Sequence, residues 1–310
     1  MIRSLQFSQG CGFRTVVIVS LDPHPDQTAA LAERGRRFRA LHERDHPFVI
    51  PNPWDVGSAR LLAAAGFEAL ATTSAGHAAS AGVADGDLGA DDTLGHVALI
   101  ANATDLPVSA DLEQGYGTTP EDVAATMRHA TATGVVGGSI EDLDRRGGDL
   151  LDIRLAADRI VAAVEVARSL SFDFVVTARC ESFGIGRPDL AATIARLQAY
   201  QAAGADVLYA PALTTSEQIA AVVSSTDRPV NVVMGLGTPT FTVDHLGELG
   251  VRRISVGSAL ARAAYGAFLR AVDEITSRGT FHFADDAVPY PRLCELLADR
   301  MPATNTIGCR

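Results

Sequence analysis

Lysine is missing from this 310-residue chain: all 26 of its basic side chains are arginine. That excludes a lysine Schiff base to a carbonyl substrate and a P-loop lysine on phosphate. Cysteine is scarce and scattered. Cys11, Cys180, Cys294 and Cys309 make no C-x-x-C pair, so neither a disulfide framework nor a zinc site is expected and a reducing cytoplasm fits best. Acidic side chains number 37, and the net charge of −11 argues against nucleic acid as a partner. No apolar run approaches the ~20 residues that span a bilayer, so no membrane partner is expected. The apolar patch Val16–Leu21 lacks a long hydrophobic region and an A-x-A cleavage site. Residues 1–25 therefore read as a loose N-terminal extension, and 26–310 as one domain.

Apolar residues, by contrast, make up 47% of the chain, enough for a sizeable core. Short β-rich runs recur, separated by Ala-rich helical stretches. The eight runs are Phe48–Pro51, Ala69–Thr73, Val108–Asp111, Gly138–Glu141, Phe174–Arg179, Val207–Ala210, Val230–Met234 and Arg253–Val256. Asp189 and Ser216 read as N-caps, and Gly66, Gly134 and Gly204 as helix stops. Strands alternating with helices imply parallel pairing. Eight such units predict an α/β fold, the (β/α)₈ TIM barrel, with a doubly wound open sheet as the rival. The stretch VPYPRLCELLADRM predicts an additional C-terminal helix after the barrel.

In a barrel, chemistry belongs at the C-terminal ends of the strands. There the chain reads SADLEQGYG (109–117), with Asp111 and Glu113 two positions apart, then Glu141-Asp142 after the fourth strand and Arg179 and Glu181 after the fifth. Residues i and i+2 of a strand face the same side, so the pair should need a cation between them. Acids from successive strands on one rim suit a hard divalent ion, Mg²⁺ or Mn²⁺. Asp55 and Asp142 read equally well as helix caps, and Arg179 as a salt-bridge partner of Glu181 or Glu141. A strand-end arginine also suits a bidentate grip on a carboxylate. Cys180 should point away from Arg179 and reads as a small buried residue. His77 reads as a solvated residue of the loop after the second strand rather than a base there, His96, His129 and His245 as helical residues that face water or pack, and Trp54 as packing rather than a substrate platform. The segments MGLGTP (234–239) and SVGSAL (255–260) could hold phosphate on backbone N–H groups, though glycines there also serve ordinary turns.

Four stretches, PNPWDVGSARLLAAAGFEALATTSAGHAASAGVAD, PVSADLEQGYG, GGSIED and FVVTARCESF, together resemble the isocitrate lyase/phosphoenolpyruvate mutase superfamily over about residues 45–270. The resemblance implies a barrel whose last helix is exchanged between subunits, a homodimer or homotetramer, and Mg²⁺ chemistry on α-keto acids. It places the metal cluster on Asp85, Asp111, Glu113 and Glu141, with Asp111 the direct ligand and the others acting largely through water. Thr73 and Ser74 would offer backbone N–H groups to the keto acid, Arg179 would bind substrate, and Asn231 would help hold it. Two departures stand out. The family's D-x-D is D-x-E here. The loop after the fourth strand, EDLDRRGGD (141–149), carries neither the Lys-[Lys/Arg]-Cys-Gly-His of the isocitrate and methylisocitrate lyases nor the lysine and asparagine of the phosphonate mutases. The expected activity is a Mg²⁺-dependent lyase or decarboxylase acting on a small α-keto or 2-hydroxy dicarboxylate. Arg179 would stabilise an enolate, and Glu113, Glu181 or Asp144 would serve where a base is needed. The alternatives are a phosphonomutase, an enzyme of phosphorylated substrates, and a non-catalytic metal- and keto-acid-binding barrel.

Overall fold

The computed structural model describes residues 25–237 and 240–298. The expected N-terminal extension, Cys11, Cys309 and the end of the C-terminal stretch lie outside the described residues, save for Pro25. Eight parallel strands form one sheet: β1 (Phe48–Ile50), β2 (Leu70–Ala71), β3 (Val108–Asp111), β4 (Gly137–Glu141), β5 (Val175–Arg179), β6 (Val207–Tyr209), β7 (Val230–Val233) and β8 (Arg253–Ser255). The order is β1-β8-β7-β6-β5-β4-β3-β2. The Ala71 N–H donates to Pro51 O at 3.1 Å and links the two end strands, so the sheet nearly closes. The barrel expectation holds, and the open sheet does not.

Eleven α-helices are present among the described residues. The first, α1 (Pro25–His42), lies under the N-terminal end of the barrel. Its Phe38 and Leu41 pack with Phe48, Val136, Val175 and Val207. Gly137 makes room, since a Cβ there would sit 2.7 Å from the Phe38 ring. After β1 to β8 come α2 (Val56–Ala64), α3 (Ser74–Ala81) with α4 (Ala90–Ala101), α5 (Pro120–Thr131), α6 (Ile153–Arg168), α7 (Leu190–Ala202), α8 (Ser216–Ser224), α9 (Val243–Glu248) and α10 (Ala259–Arg278). Local sequence sets their starts. Asp189 caps α7 by accepting from Ala192 N, as expected. The cap of α8 is Thr215 rather than Ser216, because the Thr215 hydroxyl forms a reciprocal box with Gln218. Asp55 caps α2, but Asp142 caps nothing: it is 2% exposed. Its carboxylate takes the Glu181 N–H at 2.8 Å, Arg196 at 3.2 Å and the Tyr200 hydroxyl at 2.5 Å.

The eighth barrel helix stands apart. Along α10 only Ala261 is buried, while Phe268, Leu269, Val272 and Ile275 are exposed. The additional C-terminal helix, α11 (Tyr290–Ala298), packs against α2.

Candidate active site

The polar rim gathers where the strands end. Asp111 closes β3; its backbone N–H donates to Thr72 Oγ1 at 2.8 Å, and its carboxylate accepts the Ser74 N–H at 3.1 Å. Thr73 caps α3, accepting from Gly76 N. Glu113 is placed differently from the alternation argument. It lies beyond the strand with φ 50°, a left-handed conformation that is uncommon for a side-chain-bearing residue. The turn, not strand periodicity, brings its carboxylate back beside Asp111. Its peptide oxygen accepts Glu141 N at 2.9 Å, and Tyr116 Oη is 3.0 Å from Oε1.

Glu141 ends β4 opposite Arg179 of β5. Arg179 is a hub. Its Nη1 is 3.5 Å from Glu141 and 3.9 Å from Asp111, its Nε is ion-paired with Glu181, and its guanidinium stands 5.2 Å over the Tyr209 ring. The salt-bridge reading of this residue is met, by Glu181 and Glu141 together.

A second guanidinium enters from above. After Glu141 the chain forms a hairpin, Leu143–Asp144 pairing with Asp149–Leu150. Arg145, at its tip, reaches down to Glu113 at 2.7 Å and Glu141 at 3.5 Å. It passes Gly86, where a Cβ would collide with its Nη1 and where φ is +90°. Asp85 beside it is exposed, yet close enough for its charge to act on Glu113 and Arg145. Asp144 faces its own turn, accepting Arg146 N at 3.0 Å.

Burial and mutual repulsion perturb the acids. Glu141 is pushed up to about 7, first by burial, against Arg179 and with Glu181 and Asp111 adding to it. Burial also raises Glu113, opposed by Arg145, and Glu181, opposed by Arg179. For Arg179 burial works against the charge, but Glu141 and Glu181 outweigh it and its pKa rises.

Could these residues hold Mg²⁺ or Mn²⁺? Among the described residues no three His, Cys, Asp or Glu side chains converge tightly enough to hold one ion between them. The acids are spread around the two guanidiniums. The donor set still suits a hard ion that keeps much of its water. Every donor is oxygen, and Glu141 Oε1 is buried without a hydrogen bond. Asp111 would hold the ion directly, with Asp85, Glu113 and Glu141 acting through water.

Asn231 sits on β7, buried; it donates to Ser255 Oγ at 3.1 Å and accepts from Arg253 Nε at 2.9 Å. It lines, with Asn52, Thr73, Asp111, Arg179 and Arg253, a cavity of about 60 Å³. The amides of Val256 and Gly257, candidates for phosphate, already donate to Asn52 Oδ1 at 2.9 and 2.8 Å. Cys180 is fully buried, its thiol pushed up to about 12 by burial. His77 is not on a loop. It lies on α3, stacked on His96 of α4 at 3.8 Å, and burial followed by His96 lowers it to about 4. The pair lines a separate groove beside Trp54. His129 is exposed, while His245 Nε2 meets Ser216 Oγ at 2.9 Å.

Sequence reasoning gave Arg145 and Arg253 no role. For Arg253 nothing local could show it, because its place in the site comes from strand stagger. For Arg145 nothing in spacing could show that the hairpin folds inward.

Comparison with known proteins agrees with this geometry. Residues 38–276 match the family model described as phosphoenolpyruvate phosphomutase. The chain is 30% identical to the 2-methylisocitrate lyase of Escherichia coli, covering 76% of this chain and 83% of that one. A candidate lyase/mutase from Burkholderia cenocepacia J2315 has a solved structure that is 53% identical, with TM-score 0.85, covering 87% and 97% of the two chains. A solved 2,3-dimethylmalate lyase is 31% identical, with TM-score 0.76 and coverage of 86% and 94%. With that family match over most of its length and a carboxylate–arginine rim on a (β/α)₈ barrel, the chain belongs to the phosphoenolpyruvate mutase/isocitrate lyase superfamily and is an enzyme of that type.

Proposed function

We propose that the protein is a Mg²⁺-dependent lyase or decarboxylase that cleaves a C–C bond in a small α-keto or 2-hydroxy dicarboxylate. The observation that carries this is Arg179, held within 4 Å of Asp111 and Glu141 at the rim and facing a small polar cavity. When bound, the divalent ion supplies Lewis acidity at the substrate's α-oxygen and carboxylate. As the C–C bond breaks, its electron pair becomes an enolate. The Arg179 guanidinium is already oriented by Glu181 to receive that charge, and an oriented donor needs no reorganisation at the moment of reaction. The Ser74 N–H at the start of α3 donates to the Asp111 carboxylate, so it positions that carboxylate rather than adding a donor to the enolate. Asn231 fixes the floor of the cavity. The hairpin carrying Arg145 covers the rim and keeps water from the enolate.

Loss of CO₂ requires no base. Retro-aldol or retro-Claisen cleavage does, and Glu113, raised by burial, would take the proton once Arg145 moves off it. Relatives include a 2-methylisocitrate lyase, a 2,3-dimethylmalate lyase and an oxaloacetate acetylhydrolase that is 29% identical. All three names describe small di- or tricarboxylates. The exposed apolar face of α10 supports a homo-oligomer in which this helix packs on another subunit.

The test is a panel of 2-keto and 2-hydroxy diacids assayed for CO₂, pyruvate or glyoxylate, with Mg²⁺ and with EDTA. Turnover that depends on Mg²⁺ and drops ~100-fold or more in Arg179→Lys, which keeps charge but loses the fork, supports the proposal. EDTA-resistant turnover, or conversion of phosphonopyruvate alone, refutes it.

A further inference from the structure

Arg253 opens β8 deep inside the barrel and is 5% exposed. A buried guanidinium normally sits against a carboxylate, because an uncompensated charge in the interior costs several kcal/mol. Arg253 has none. Its Nε donates to the amide oxygen of Asn231 at 2.9 Å, and its buried Nη1 meets no acceptor. Burial lowers its pKa to about 10, with only the Tyr209 ring hydroxyl acting the other way, so it is still a cation at neutral pH. The rim carboxylates are engaged elsewhere: Glu141 and Glu181 with Arg179, Glu113 with Arg145, and Asp111 with the Ser74 N–H.

Strand register explains how a residue at the start of β8 reaches the site. Barrel strands are staggered, so a row of paired residues runs obliquely from rim to floor. Here the row is Glu141, Arg179, Tyr209, Asn231, Arg253, each partnered with the next. Paired residues share a face, and this row faces inward. Arg179 and Arg253 are thus the upper and lower ends of one polar row that lines one cavity. Asn231 sits between Arg253 and Ser255, holding the lower guanidinium in place.

We infer that Arg253 is a second carboxylate clamp, which receives the distal carboxylate of a diacid whose keto-acid end lies at Arg179. The inference rests on the keto-acid reading above and adds the specificity element to it. An unpaired N–H donor on a buried, pre-aligned guanidinium is costly until an anion accepts from it, and the fork is built for two parallel bonds. An acid with one carboxylate leaves that site unfilled; a diacid fills it.

The experiment compares binding of oxaloacetate and pyruvate to the full chain in Mg²⁺, by calorimetry in the cold, with thermal melting of the ligand-free protein as a second readout. The wild type should prefer oxaloacetate by ten-fold or more. In Arg253→Met the ratio of the two affinities should collapse toward one, and the ligand-free melting temperature should hold or rise, since a buried charge has gone. Arg253→Gln keeps a donor to Asn231 and should give the same collapse. A ratio that persists in both variants overturns the inference, as does a melting temperature that falls by ten degrees or more with the ratio unchanged, which marks a purely structural arginine. Failure of the keto-acid reading looks different. There, neither acid binds the wild type, or binding ignores Mg²⁺ and Asp111; the first result overturns both statements, while the second leaves the ratio test standing.

Discussion

Removing the Arg145 guanidinium should strengthen divalent-ion binding. Arg145 reaches from the hairpin into the acids that the ion would use, with one close contact of 2.7 Å to Glu113 and a looser one of 3.5 Å to Glu141. Its side chain is 25% exposed, so solvent screens the pair only partly. An ion that binds Glu113 and Glu141 through water must first displace this cation. One charge-assisted hydrogen bond is worth roughly 1.5–3 kcal/mol, and the 3.5 Å contact adds less. Arg145→Ala should remove a competition of about 2 kcal/mol, which corresponds to a ~30-fold lower Kd for the ion.

Mn²⁺ gives the cleanest measurement, because the free ion is seen directly by electron paramagnetic resonance and no turnover is needed. The variant should bind Mn²⁺ about 30-fold more tightly at constant ionic strength and pH. Hydrogen exchange over residues 143–150 should be faster in the metal-free variant, as the hairpin loses its hold. Arg145→Lys should fall between, since a point charge cannot span both carboxylates. An unchanged Kd would falsify the competition. A weaker one would show that the guanidinium helps to build the ion site rather than filling it.

Other outcomes follow from the same geometry. Asp111→Asn should weaken Mn²⁺ binding by ~100-fold or more, beyond the 10–100-fold typical of outer-shell changes; an unchanged titration removes Asp111 from the ion site. Arg159 is buried and donates to Glu141 O at 3.1 Å, Gly117 O at 3.2 Å and also Gln114 O. Arg159→Met should therefore cost about 2–4 kcal/mol in urea unfolding, and a loss under ~0.5 kcal/mol contradicts its role in holding the two rim turns. His42 is held down at about 3 by burial, then by Arg253, with Arg39 adding to it, against its bond to Phe38 O. Unfolded, it takes a proton near 6.5, so its contribution to stability is intact above that pH and lost as pH falls toward 3. Between pH 7 and 5 this costs about 2 kcal/mol, and His42→Gln should lose that much less stability over the interval. Equal pH slopes in the two proteins would contradict the assignment.

The barrel was legible because its signals are local. Eight β-rich runs with helical stretches between them place all eight strands, within a residue or two at each end. Asp189 and the glycines past α2, α5 and α7 mark element ends where backbone geometry demands them. What stayed hidden depends on which way a turn folds. Glu113 was expected beside Asp111 by strand alternation, yet it arrives there through a left-handed turn. Asp142 reads equally well as a rim acid or a helix cap, but it ties β4 to Arg196 and Tyr200 of α7, far off in sequence. His77 reads as a loop residue in the sequence, whereas Thr73 caps a helix that carries it. Arg145 and Arg253 show the limit most clearly. Neither residue's role can be read from its neighbours in the chain, because one depends on the inward fold of a hairpin and the other on strand stagger.

The same arginines narrow the chemistry. Proton transfer near neutral pH needs a group that titrates there. With no lysine in the chain, both cations at the rim are guanidiniums, which hold their protons throughout that range. The Cys180 thiol is pushed up to about 12. Burial, followed by Glu113, also raises the Tyr116 hydroxyl far out of reach. The stacked histidines His77 and His96 line another groove. Among the described residues of the rim, carboxylates are left as the proton carriers, with Glu141 near 7 and Glu113 raised. Glu113 and Glu141 lie against Arg145 in the closed hairpin, so either is free to take a proton only when Arg145 moves aside, while Glu181, also raised by burial, is held by Arg179. Base-dependent cleavage through Glu113 or Glu141 would then be coupled to hairpin opening, which admits water to the enolate. Within the proposed function, decarboxylation carries no such conflict in its bond-breaking step, because no proton is removed before CO₂ leaves and the enolate takes its proton afterwards, when the hairpin can open; that ordering makes loss of CO₂ the simpler of the two proposed cleavages.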